Sequence, residues 1–233
     1  MEIPFDGPAT GSQNMSKDVA MLDAPITHGI YRWRTYTWHP WALSLGKHQD
    51  IAAIDAVAAR RYSIDVVHRP TGGRAVLHAN ELTYCVVACG KPQEVYAKIH
   101  QTIHKALIQV LGDNGWLLEF DTVGHDLRSH YASGSDLGQA CFATSAKSEI
   151  MVNGRKVVGS AQRVVNGIVL QHGSILCGPE HLLLSELMPI PDERKTIFKA
   201  ALQRSSISLS EIAGYAITPE DVAKALSSIQ PDQ

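Results

Sequence analysis

No apolar run in the 233-residue chain approaches the length of a membrane span, which excludes a helical membrane anchor within it. Cysteine is scarce. The four present, Cys85, Cys89, Cys141 and Cys177, are too few and too scattered for a disulfide framework, and they favour a reducing compartment. A strong excess of one charge is also missing: the formal net charge is -2, so wholesale nucleic-acid binding is not expected. The opening, MEIPFDGPATGSQ, has neither the apolar core of a signal peptide nor an Arg-rich transit pattern, and the expected setting is cytoplasmic. What remains is 45% hydrophobic and 19% charged, the composition of a globular chain. At this length roughly 70% of the unfolded surface can be buried, enough for packing alone to hold a fold.

Charge is unevenly spread. Arg60 to Arg74 holds four Arg against Asp65, and Lys147 to Arg163 holds two Lys and two Arg against Glu149. From Glu180 onward eight acids face five bases, and the Gly-rich, strand-like character of the middle is lost. This shift divides the chain into a main domain, residues 1–180, and a helical C-terminal segment, 181–233, expected to pack on it.

The spacing of Met15, Val19 and Leu22 predicts a short helix with those residues on its buried stripe. Residues 29–45, which hold three of the four Trp, read as two strands broken near Pro40. Their aromatics serve either a core or a stacking platform. Val95, Ile99, Ile103, Leu107 and Val110 form one helical stripe ended by Gly112. Asn153-Gly154 and Asn166-Gly167 each sit between β-like runs and predict tight hairpins, together an antiparallel meander over about 149–176. Helices are expected over 191–203, after Ser208 with Glu211, and from Thr218-Pro219-Glu220.

Two segments are candidates for chemistry. In HRPTGGRAVLH, residues 68–78, paired glycines permit close backbone approach to a ligand, and Arg69 and Arg74 can add positive charge to an anion site. An ordinary hairpin or bulge is the alternative. Cys141 lies in the loop-like GQACFATS; a nearby ammonium such as that of Lys156 would favour its thiolate. The alternative is a small buried hydrophobe. Cys85 and Cys89 share a strand face and read as structural. His100 and His104, at i and i+4, lack the zinc-protease glutamate and an evident third ligand, so no metal is expected. His172, in LQHGSIL, reads as a local hydrogen-bonding group.

Taken in order, NMSKDVAMLD, LSLGKHQD, RPTGGRAVLHANELTY, CFATSAKSEIMVNGRKVVGSAQR and LQHGSIL resemble the lipoate-protein ligase and octanoyltransferase family, over about Asn14 to Leu176. The resemblance implies an α+β fold, a mixed, mostly antiparallel sheet with packed helices, that of the biotin/lipoate-protein ligase catalytic domain. It also implies transfer of an octanoyl or lipoyl group to a carrier lysine. Cys141, in a Cys-Phe pair similar to that of the monomeric Cys-type octanoyltransferases, and Lys156, in Lys-x-x-Gly-Ser-Ala, are the implied catalytic pair. Arg69, Thr71, Gly72, Gly73, Arg74, Ala75, His78, Gly159, Ser160, Ala161 and His172 are the implied substrate-binding residues, with Ala75 and the glycines keeping an acyl tunnel narrow.

The ligase branch would use ATP and Mg. Its Arg-Asn-Asp stretch is replaced here by Lys147-Ser148-Glu149, and the transferase branch, which uses no cofactor, is favoured. The implied partners are acyl carrier protein as donor and a lipoyl domain or glycine-cleavage H-type protein as acceptor, with neither nucleic acid nor membrane involved. The chain departs from the family at His68, where Arg is usual, and at Ala79, where an acid is usual.

Overall fold

The computed structural model describes residues 2–121 and 149–229. Strand β1 (Phe5–Ala9) enters helix α1 (Gly11–Ala20) through a capping box in which the Thr10 side chain accepts from Gln13 N and the Gln13 side chain accepts from Thr10 N. The helix is where the sequence predicts it, but its buried face is different. Gly11, Asn14, Met15 and Asp18 face inward, while Val19 points to solvent. Two polar residues can occupy a buried face because the guanidinium of Arg34 lies beneath them and satisfies both.

After the expected break at Pro40, β2 (Tyr31–Trp38) gives way to β3 (Ala42–Leu45). Helix α2 (Ala56–Arg61) follows, its first amides capped by the Asp55 carboxylate. Next come β4 (Asp65–His68), β5 (Val76–His78), β6 (Glu81–Cys89) and the long helix α3 (Pro92–Leu111). Val95, Ile99, Ile103 and Leu107 of α3 are fully buried as their spacing predicts, and Gly112, at φ +52°, ends the helix.

The remaining strands are β7 (Glu119–Asp121), β8 (Glu149–Val152), β9 (Arg155–Lys156), β10 (Val158–Val165) and β11 (Ile168–Leu176). The chain then makes a 3-10 segment (Pro179–Leu187) and helices α4 (Asp192–Ser205), α5 (Leu209–Ala213) and α6 (Pro219–Ser228). No helix among the described residues is long and apolar enough to cross a membrane.

Three sheets result: β1-β2-β6-β11-β10, β4-β3-β5 and β7-β8-β9. Pairing is antiparallel except at β1–β2 and β3–β4, as a mixed, mostly antiparallel α+β fold requires. Both Asn-Gly hairpins form, with Asn153, Gly154, Asn166 and Gly167 all at positive φ.

They do not form one meander, however. The first hairpin joins the third sheet and the second joins the five-stranded sheet. The chain crosses at Val157, whose N–H bonds back to Ile150 O while its carbonyl accepts from Leu176 N. The Thr71-Gly72-Gly73 turn is not a hairpin either. β4 and β5 flank β3 on opposite sides, so their connection spans the sheet.

Both faces of the five-stranded sheet are covered. On β6, Leu82, Tyr84, Val86 and Ala88 pack toward α3 and α6, whereas Cys85 and Val87 pack with Met15, Tyr36 and Trp38. Burial on both sides explains the unbroken apolar run LTYCVVAC. A separate core under β4-β3-β5 is completed by Leu184, Leu187, Phe198 and Leu202, residues of the acidic tail.

Candidate active site

A narrow cleft, partly open to solvent, lies between the five-stranded sheet and β4-β3-β5. Met15, Tyr36, Trp38 and Val76 supply apolar wall. Ser44, Arg69, His78, Thr83, His172 and Ser174 supply polar groups. β10 and β11 contribute Gly159, Ser160, Ala161 and Gly173. Gly173 admits no side chain, since a Cβ there would lie 2.3 Å from the Tyr84 ring.

Two histidines with buried acid partners line this cleft. His172 Nε2 lies 2.9 Å from Asp18 Oδ2, at ion-pair distance though out of line for a hydrogen bond, and Nδ1 is 3.4 Å from Thr71 Oγ1. Asp18 also accepts from Arg34 Nη1 and Tyr36 OH, both at 2.6 Å. Burial alone would raise its carboxyl; His172, Arg34 and the Tyr36 hydroxyl reverse that and hold it below the ordinary carboxylate value. Arg34 is further tied to Asp6 and Asn14 Oδ1, each at 2.6 Å.

The second pair is His78 with Glu81. His78 Nδ1 meets Glu81 Oε1 at 2.7 Å, Nε2 meets Ser44 Oγ at 2.7 Å, and the ring stacks on Trp38 with centroids 4.3 Å apart. Glu81 Oε1 also accepts from Thr83 and Ser174. The sequence singles out neither Glu81 nor Asp18 as a site residue. The available signals are the i, i+4 spacing of Asn14 and Asp18 on α1 and the i, i+2 spacing of Arg34 and Tyr36 on β2, which become interpretable only when the helix is laid on the strand.

The expected binding residues separate into groups. Arg69 lines the cleft but is spent on structure, donating to Ser44 O, Gly72 O and Arg74 O at 2.7–2.9 Å. Thr71 is buried beside His172. Ala75 is not among the residues lining the cleft; it packs with Leu43 and Leu45 in the core under the second sheet. Gly72, Gly73 and Arg74 border a different groove with His48 and Gln49. Gly159 and Ala161 lie in the cleft wall, and Ser160 Oγ is held by Tyr84 OH at 2.6 Å and His100 Nε2 at 2.8 Å.

Lys156 is buried in β9, paired with Met151 on one side and bridged to Ser206 on the other, and Ile207 N donates to its carbonyl at 2.9 Å. It is not among the residues lining the cleft. Cys141, with Lys147 and Ser148, lies outside the described residues.

His100 and His104 do not converge on a common point: the first meets Ser160 and Tyr84, the second lies 3.5 Å from Leu118 O. Among the described residues, Asp18, Cys85 and His172 come within 4.8 Å of one another and could in principle hold a metal ion. The set suits one poorly. Arg34 and Tyr36 already occupy the carboxylate, and burial together with the Asp18 charge pushes the Cys85 thiol well above its ordinary value, away from the thiolate a metal needs.

A mixed α+β domain with a cleft between two sheets, and acid-backed histidines in its wall, has the form of a small-ligand catalytic domain. The chain belongs to the Lipoyl protein ligase A/B catalytic domain family, whose model matches residues 14–229. Octanoyltransferase LipM of Kyrpidia tusciae is similar at 33% identity, covering 95% of this chain and 82% of that protein. The protein of the same name from Geobacillus kaustophilus is 34% identical, covering 91% and 78%. In fold, the chain is similar to the bi-partite lipoate protein ligase of Thermoplasma acidophilum, with a TM-score of 0.68 at 18% identity over 97% of this chain and 81% of that one.

Proposed function

We propose that the chain is an octanoyltransferase of protein lipoylation, moving an octanoyl group from acyl carrier protein through a thioester on Cys141 to a lysine of a carrier domain. The observation that carries this reading is the similarity, over more than nine-tenths of the chain, to relatives named octanoyltransferases. The cleft is consistent with it. Met15, Tyr36, Trp38 and Val76 give it an apolar wall, and burying the seven carbons beyond the carbonyl of an octanoyl group at about 0.8 kcal/mol each would contribute roughly 5–6 kcal/mol.

In the first step the Cys141 thiolate attacks the carbonyl carbon of the donor thioester. A new S–C bond forms, the donor's C–S bond breaks, and the donor leaves as its thiol after taking up a proton. In the second, the neutral amine of the acceptor lysine attacks the enzyme thioester, an amide forms, and Cys141 is released. Lys156 would favour the thiolate and, as a nearby cation, keep the incoming amine neutral. The acceptor is a lipoyl domain or a glycine-cleavage H-type protein, and neither ATP nor Mg takes part.

Intact-protein mass spectrometry tests the reading. Incubation with octanoyl-acyl carrier protein, without ATP, should add the mass of one octanoyl group, and Cys141→Ser should abolish it. Modification of a lipoyl domain from free lipoate, dependent on ATP and surviving Cys141→Ser, would establish a ligase instead.

A further inference from the structure

Behind the Gly-Gly loop lies a second groove of about 350 Å³, open to solvent and lined by His48, Gln49, Gly72, Gly73 and Arg74. Two loops make it by meeting closely. Lys47 N donates to Thr71 O at 2.9 Å, and a Cβ at Gly46 would lie 2.1 Å from Gly73 O, so only glycine there lets the loops abut. Gly73 sits at φ +92°, and nothing lies within 4 Å of where a Gly72 Cβ would be. The groove floor is therefore backbone that a ligand can approach. His68 Nε2 contacts Gln49 O at 2.9 Å. Gln49 accepts from Gly46 N at 3.3 Å, yet its buried amide nitrogen has no hydrogen-bond partner among the described residues.

The surroundings are cationic. Arg74 lines the groove, and Arg163 reaches the same loop by donating to Pro70 O at 3.3 Å. Asp50 is the acid on this stretch, and its carboxylate is engaged in capping Ala52 N at 2.8 Å. Arg69 links groove to cleft. It lines the cleft and bonds Gly72 O and Arg74 O, so the two spaces share a wall one loop thick.

We infer that this groove is a phosphodiester site, which holds the phosphate of a pantetheine arm while the attached octanoyl thioester enters the neighbouring cleft. The inference rests on the transferase reading above and names how its donor is recognised. An unpartnered Gln49 amide, bare glycine backbone and the Arg74 guanidinium suit a compact anion. They do not suit the acceptor, which presents a lysine. The same phosphopantetheine could arrive on acyl carrier protein or on coenzyme A.

The test compares kcat/KM for octanoyl-pantetheine, octanoyl-4′-phosphopantetheine, octanoyl-coenzyme A and octanoyl-acyl carrier protein in the full chain. The wild type should prefer the phosphorylated small donor over the unphosphorylated one by about tenfold or more, as expected for charge-assisted hydrogen bonds. Arg74→Gln and His48→Ala should each bring that ratio toward one. A higher value for the carrier protein than for coenzyme A identifies the first as the source, and the reverse identifies the second; either result keeps the site. Equal use of the two small donors, or a preference that survives both variants, overturns the inference while leaving the transferase intact. No transfer from any octanoyl donor overturns both.

Discussion

Asp18 illustrates how one buried carboxylate can organise a site. It is fully buried, bonds Arg34 and Tyr36, and stands at ion-pair distance from His172 in the cleft wall. Asp18→Asn leaves the guanidinium short of a charge partner in a dry environment, and should destabilise the protein by about 3–5 kcal/mol, measurable by urea denaturation near neutral pH. The pH dependence has a definite sign. Because the folded carboxyl lies below its ordinary value of 3.8, the stabilisation is complete above that value and is lost as pH falls through the lowered one. The gap between wild type and Asp18→Asn should therefore narrow only in acid, below about pH 4. The buried cysteines give a second expectation at this scale. Burial, then the charge of Asp18 at Cys85 and of Glu81 at Cys177, pushes both thiols far up. Maleimide should label neither in the native protein and both after denaturation, read by peptide mass spectrometry; native labelling of Cys85 would contradict the packing described.

At the scale of elements, turns and caps set the boundaries. Asn166 occupies a left-handed conformation that alanine adopts at a cost, and Asn166→Ala should lower stability by about 1–2 kcal/mol. Thr218→Ala removes the capping box of α6, where Thr218 and Asp221 satisfy each other's backbone amides, with an expected loss of about 1 kcal/mol. Gly173→Ala should cost more, about 1–3 kcal/mol, because the new methyl meets the Tyr84 ring and displaces its bonds to Ser160 and Gln171. Thermal melts should rank Thr218→Ala mildest, Asn166→Ala next and Gly173→Ala most severe, with Gly173→Ala also losing octanoyl transfer. The N-terminal helix shows why periodicity alone misplaces a face. Met15, Val19 and Leu22 satisfy a helical template, but the surface beneath α1 carries Arg34, and the turn that docks is the one that brings Asn14 and Asp18 to it.

Across the whole molecule, the acidic tail is part of the packing rather than an appendage. Phe198 and Leu202 of α4 fill the core under the second sheet, and Val222 and Leu226 of α6 pack in the core over α3. The segment between helices also braces β9, where Ser206 bridges Lys156 and Glu211 pairs with Arg155 at 2.8 Å. Phe198→Ala should therefore destabilise the chain by about 3–5 kcal/mol while calorimetry still shows one transition. A separate transition for the tail would mean that it folds apart from the sheets. The two departures from the family flank the Gly-Gly loop in sequence: His68 contacts Gln49 O, and Ala79 is buried in the second core.

Local physics made much of this legible in advance. The α3 stripe, both Asn-Gly turns, the capped starts of α5 and α6, the strand break at Pro40 and the loop carrying Arg69 follow from periodicity, glycine conformations and side-chain caps, each decided within a few residues. Which strands share a sheet, which face of α1 is buried, and that Ala75 belongs to a core while Gly72 and Arg74 border a second groove depend on contacts between residues far apart in the chain. The acid–histidine pairs are of the same kind at Asp18 and His172, separated by most of the domain. A carboxylate's partner is chosen by packing and desolvation, and those exist only once the sheets have assembled.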